Sequence, residues 1–67
     1  MNYKISDLYD SLINKHQYDY HEYPEHYDPE GYTKYLDTLN DQELIDEFME
    51  VYDLEDESEI AENIGYY

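Results

Sequence analysis

Carboxylates dominate the chemistry this chain can offer. Its 67 residues hold 19 Asp and Glu, three His, 11 Tyr, no Cys and three basic residues, all of them Lys. Paired carboxylates can move protons for a substrate, and a His/Asp/Glu cluster can hold a divalent cation, but each task needs a particular arrangement. Acid–base work requires a pocket that drives two carboxyl pKa values apart, and a helical chain of this length has little room to enclose one. His16, His21 and His26 recur every five residues, not at the four-residue step that puts two ligands on one helix face. No stretch follows the calcium-loop order of alternating acids, a Gly and a distant Glu. Asp28-Pro29-Glu30-Gly31 is too short and contains a Pro. Ser6, Ser11 and Ser58 read as helix-start or surface residues without a His partner. These residues argue against an enzyme, a dedicated metal site or a cofactor.

What remains is charge itself. The formal net charge is −16, and the last basic residue is Lys34. From Tyr35 to Tyr67 there are twelve carboxylates and no cation. Self-repulsion of this size opposes folding, and solubility needs far less charge. The field therefore has a use, and the expected one is attraction to a strongly positive surface such as a nucleic-acid-binding groove. Direct DNA or RNA binding is excluded, because the same field repels phosphate.

The elements that must carry this charge follow from apolar spacing. Ile5, Leu8, Tyr9, Leu12 and Ile13, with His16 next in line, make one stripe of a helix over about Lys4–His16. Asp7, Asp10, Ser11 and Asn14 take its other side. Gln17–Asp28 is rich in Tyr and interrupted by Pro24, and reads as an extended, ordered loop. Asp28-Pro29-Glu30 is a helix start signal, followed by Tyr32, Tyr35, Leu36 and Leu39 on the apolar side. Asn40 and Glu43 have capping-box spacing. Leu44, Ile45, Phe48, Met49 and Tyr52 then predict a helix to about Asp53. A further box at Asp56 and Glu59 opens a segment with Ile60, Ala61 and Ile64 inside and Gly65 as its C-cap. The fold class expected is all-α: one domain over 1–67, a small bundle of three to four short helices with a Tyr-rich loop after the first.

On the fourth segment, Glu43, Asp46, Glu47, Glu50 and Asp53 lie opposite the Leu44/Phe48/Tyr52 stripe. Five carboxylates over roughly 15 Å of helix give about one per 3.8 Å, close to the ~3.4 Å between phosphates along one DNA strand. Glu57 and Glu59 extend the run and could form a second row. A charge run is usually only a solvated face, but such faces mix Lys with Glu, and no cation occurs here. Among the tyrosines, Tyr9, Tyr35 and Tyr52 fit core stripes. Tyr18, Tyr20, Tyr23, Tyr27 and Tyr32 cannot all be buried in so small a domain. Tyr is enriched at interface hot spots, so Tyr20, Tyr23 and Tyr27 are expected as anchors beside the acidic rows.

High net charge with low hydropathy also marks disorder, but the large apolar residues at helical spacing argue for folding. Without Cys, stability must come from a small core, from a homodimer or from a partner. No apolar run reaches the length of a membrane span and no signal-peptide pattern opens the chain, so the expected location is the cytoplasm.

In size, charge, lack of Cys and Arg, and the acidic helices Asp41–Asp53 and Glu55–Glu62, the chain resembles the small acidic inhibitors of phages and mobile elements. These are the DNA-mimic anti-CRISPR proteins, antirestriction proteins and inhibitors of uracil-DNA glycosylase. Pro24-Glu25-His26 followed by Gly31-Tyr32-Thr33-Lys34-Tyr35-Leu36 is similar to a tract of the antirestriction family. The resemblance implies a stoichiometric blocker in the host bacterial cytoplasm. It would fill the DNA site of a basic nucleic-acid-binding protein or complex, as an anti-CRISPR does. The partner-binding residues would be Glu43, Asp46, Glu47, Glu50, Asp53, Glu57 and Glu59 with Tyr20, Tyr23 and Tyr27. The competing expectation is an acidic adaptor or antitoxin-like partner that binds a basic surface not devoted to nucleic acid.

Overall fold

The computed structural model describes residues 3–64, so the Gly65 cap lies outside the described residues. Four helices follow in order: α1 Ile5–Glu22, α2 Pro29–Asp37, α3 Asp41–Val51 and α4 Ile60–Asn63. A 3-10 turn, Glu57–Glu59, leads into α4. The chain is all-α, and no strand occurs among the described residues. No described helix is long and apolar enough to cross a membrane.

Helix α1 packs against both α2 and α3. The core is Leu8 and Leu12 from α1, Leu36 from α2, Leu44, Ile45 and Phe48 from α3, and Ile60 from α4. Leu8, Phe48 and Ile60 are fully buried. All seven lie on the apolar stripes expected from the sequence, but Ala61, expected inside the last segment, is exposed. Ser11 departs from expectation: it is buried rather than on the surface. The Tyr52 hydroxyl donates to its carbonyl at 3.3 Å.

Two boundaries also differ. Helix α1 continues through Gln17–Glu22, half of the segment expected as an extended loop. Nothing in Gln17–Glu22 forbids a helix, and Lys15 and Asp19 pair across one turn at 3.0 Å. The true breaker is Pro24, which disfavours helical backbone at the residue before it. Tyr23 accordingly leaves the helix at φ −135° and ψ 66°. The Tyr-rich loop is therefore residues 23–28. Asp28 opens α2 as its N-cap residue, but its side chain makes no capping bond.

Helix α3 starts as expected. The Glu43 N–H donates to Asn40 Oδ1 at 2.9 Å, and the Asn40 N–H donates to Glu43 Oε1 at 3.0 Å. It ends at Val51, two residues early. The Leu54 N–H reaches the Met49 carbonyl at 2.8 Å and the Asp53 N–H the Glu50 carbonyl at 3.2 Å. This is a Schellman C-cap. Its left-handed position is held by Asp53 at φ 56°, where Gly is the usual residue. Leu54 then turns back onto the core.

Asp53→Gly should therefore stabilise the fold by about 1 kcal/mol, because Gly adopts left-handed backbone without a Cβ clash. Urea unfolding followed by circular dichroism checks this. A loss of stability would mean that the Asp53 side chain makes a contact worth more than the strain.

Candidate functional site

The candidate site is the outer face of α3 with the turn that follows it. Each residue of an α-helix advances about 100° around the axis. Leu44, Phe48 and Val51 face α1, which leaves Glu43, Asp46 and Glu50 on the far side, all exposed. Asp53 is exposed in the Schellman turn, and Glu55, Asp56 and Glu57 are exposed beyond it. Glu59 is half-buried: its carboxylate accepts the backbone N–H groups of Glu55 and Asp56 at 3.0 and 3.2 Å. Asp56 in turn accepts the Ser58 N–H at 2.9 Å.

Glu47 is the exception within the row. It lies beside Val51 at the rim of the buried stripe, and it is half-buried rather than outward. Tyr32 and Tyr35 of α2 donate their hydroxyls to its two oxygens at 3.0 and 3.4 Å. The roles of these two tyrosines are reversed from expectation. Tyr35 is 47% exposed, whereas Tyr32 turns inward. Its ring stacks on His16 of α1, with centroids 4.2 Å apart and planes 8° from parallel. Burial first, then the hydrogen bond and charge of Glu47, push the Tyr32 hydroxyl far above the ordinary tyrosine range.

Two further hydroxyls complete the pattern. Tyr9 of α1 donates to Asp37 of α2 at 2.7 Å, and Tyr52 at the end of α3 donates to α1 at Ser11. The tyrosine hydroxyls thus join α1 to α2, α2 to α3 and α3 to α1. The Tyr52 ring also stacks on Phe48 at 4.3 Å.

The expected aromatic anchors are dispersed. Tyr20 is 39% and Tyr23 57% exposed, at the end of α1 and just past it. Tyr27 is half-buried, with its ring edge-on to His16 at 5.0 Å. Among the described residues no hydrogen bond or ring contact joins these three to the carboxylates of α3.

A small cleft of about 220 Å³ lies between α1, the loop, α2 and the end of α3. It is lined by Leu12, Lys15, His16, Asp19, Tyr27, Tyr32 and Val51. His16 and Tyr32 are its aromatic wall, and sequence reading placed no function on either. His16 could have been found, since it continues the Leu8–Leu12 spacing by one more turn. No three His, Asp or Glu side chains among the described residues converge as a metal ion would need.

The charges of the site have neutral neighbours. Ion pairs join Lys15 to Asp19 within α1 and Lys34 to Glu30 within α2. Of the carboxylates of α3 and the following turn, Glu43, Asp46, Glu47, Asp56 and Glu59 are bonded by tyrosine hydroxyls, backbone N–H groups or the Gln42 amide, which reaches Asp46 at 3.2 Å. Neutral donors fix these side chains without cancelling their charge.

Two outcomes are expected. Raising salt from a low-salt buffer should raise the melting temperature, because exposed unpaired carboxylates repel one another over the Debye length. An unchanged melting temperature would mean that the repulsion is already relieved. Tyr32→Phe should cost about 1–2 kcal/mol, since Phe keeps the stack on His16 but removes a hydrogen bond to a charged acceptor. The folded pKa of Tyr32 is raised, so its contribution is full below pH 10 and declines as pH rises further. Alkaline unfolding curves should accordingly be less steep in Tyr32→Phe than in the parent chain; identical slopes would contradict the Tyr32–Glu47 bond.

No protein-family model, curated protein or solved structure matches this chain.

Proposed function

We propose that this protein is a DNA-mimic inhibitor that occupies the nucleic-acid-binding site of a host defence or DNA-processing complex, as a phage-encoded anti-defence factor of the anti-CRISPR kind acting in the bacterial cytoplasm. The observation that carries this reading is the uncompensated acidic face: Glu43, Asp46, Glu50, Asp53, Glu55, Asp56 and Glu57 are exposed along α3 and its following turn, and the lysines that form ion pairs lie in α1 and α2. An Arg fork grips a carboxylate much as it grips phosphate. A field of this sign speeds encounter with a basic groove and makes the complex sensitive to salt.

Spacing qualifies the mimicry. Glu43, Asp46 and Glu50 are separated by seven residue steps in all, about 10.5 Å of helix, so the outer row has roughly one charge per 5 Å. That is sparser than the ~3.4 Å rise per phosphate of one strand. The denser run is the turn, where exposed acids stand at 53, 55, 56 and 57. The contact is therefore centred on the C-terminal end of α3. Asp53 supports this centre: it keeps a charge at a backbone position that Gly would fill with less strain.

The test begins with capture of basic proteins from a bacterial lysate and elution by a salt gradient. A captured target saturated with this protein should no longer bind duplex DNA, and DNA in excess should displace the protein. The triple substitution Asp46→Lys, Glu50→Lys and Asp53→Lys should abolish capture while helicity persists. Asp53→Gly should weaken capture while gaining stability. A target that still binds DNA normally when saturated would overturn the mimic reading in favour of an acidic adaptor on a basic surface not devoted to nucleic acid.

A further inference from the structure

We propose that His16 is a proton-operated latch that holds the 23–28 loop and the start of α2 against α1. The Asp28 backbone N–H donates to His16 Nε2 at 3.1 Å. A backbone amide can only donate, so Nε2 must carry a lone pair and the neutral ring keeps its proton on Nδ1. The same imidazole is stacked on Tyr32 of α2 and met edge-on by Tyr27 of the loop. One side chain of α1 thus touches the loop twice and α2 once. Asp28 is also the residue whose carbonyl accepts the first helical bond of α2, from the Tyr32 N–H at 2.8 Å. Seating Asp28 therefore seats the helix start.

An added proton must go to Nε2, the one basic nitrogen left. Nε2–H then faces the Asp28 N–H, donor against donor, and the bond cannot persist. Either the ring turns or the Asp28 amide withdraws, and in both cases that amide loses its partner. The ionic surroundings give the charged ring somewhere to go. Asp19 on α1 and Asp28 in the loop, the latter through both its carboxylate and a backbone hydrogen bond, favour the imidazolium, Lys15 on α1 opposes it, and Val51 of α3 presents only an apolar side chain. Tyr27 and Tyr32 contribute ring faces or edges and no charge in this range. Burial outweighs the two carboxylates and holds the His16 pKa below the ordinary histidine value of 6.5. A group whose folded pKa is depressed contributes stability above its unfolded pKa and loses it as pH falls through the folded value. The latch is closed at neutral pH and opens as pH falls through the depressed His16 value. It operates whether or not the acidic face is a docking surface.

Amide hydrogen exchange and histidine ring nitrogen shifts, read by NMR between pH 7.5 and 5.0, test this on the intact chain, with His21→Gln and His26→Gln used to assign the His16 signals. The neutral His16 ring should carry its proton on Nδ1. The protection factor of the Asp28 amide should fall by about tenfold as His16 titrates, with one shared midpoint below 6.5, while the amides of Leu12 and Phe48 keep their protection. His16→Phe should leave the Asp28 amide unprotected across the range. His16→Gln, whose amide oxygen accepts at every pH, should keep protection and abolish the step. Asp28 protection that stays constant while His16 titrates, or a neutral ring protonated on Nε2, would overturn the proposal.

Discussion

The structure depends on one constraint: carboxylates drawn toward the helix interfaces must be hydrogen-bonded in a chain with almost no cations. An unsatisfied, partly buried carboxylate is costly, and an ion pair is the common remedy. With three lysines for 19 acids, this chain uses neutral donors. Tyr32 and Tyr35 bond the half-buried Glu47 and backbone N–H groups the half-buried Glu59, and the exposed Asp37, Glu43 and Asp56 likewise accept from Tyr9 or from backbone N–H groups. Tyr9, Tyr32 and Tyr35 serve in this way, in a chain with 11 Tyr and one Phe. Tyr fills the volume that Phe would fill and adds the donor that Lys or Arg would otherwise supply. The difference from a salt bridge is that the negative charge survives.

The same hydroxyls compensate for a small core. Seven buried apolar residues hold three helices and a short fourth. Such a core leaves the angles between helices loosely specified, because hydrophobic contact is not directional. Hydrogen bonds are directional, and Tyr9, Tyr32 and Tyr52 place one at each pairing of α1, α2 and α3. The acidic face of α3 is thereby fixed in orientation by groups that do not weaken its field. What is fixed is the backbone that carries Glu43, Asp46 and Glu50, and a preorganised backbone loses less entropy in any contact it makes.

The aromatic centre of the molecule serves a different end. His16 brings together α1, the loop and α2 with one ring, and its capacity to accept a hydrogen bond depends on its proton. Most links in the fold are insensitive to mild acid: apolar contacts, tyrosine hydroxyls and backbone bonds. The His16–Asp28 link is the exception, and it sits where a Pro-broken loop has few bonds of its own.

Much of this was legible in the residue pattern. The all-α class, the Leu8–Leu12 and Leu44–Phe48 stripes and the Asn40–Glu43 box follow from 3.6-residue periodicity and from N-cap chemistry, which act within a few residues of chain. The unbalanced charge after Lys34 is a property of composition and needs no fold to be read. Tertiary structure decided the rest. Glu47 turned inward because α2 presents two hydroxyls beside it, Tyr32 was half-buried and Tyr35 exposed by the way α2 lies on α1, and Ser11 was buried where Tyr52 bonds its carbonyl. Helix α1 ran past His16 because only Pro24 could stop it, and α3 ended early because Leu54 had a core to return to. Local pattern determines which face of each helix is apolar. Which polar residue on the rim of that face meets a partner depends on the rotation and offset between helices, and those are set only when all the helices pack at once.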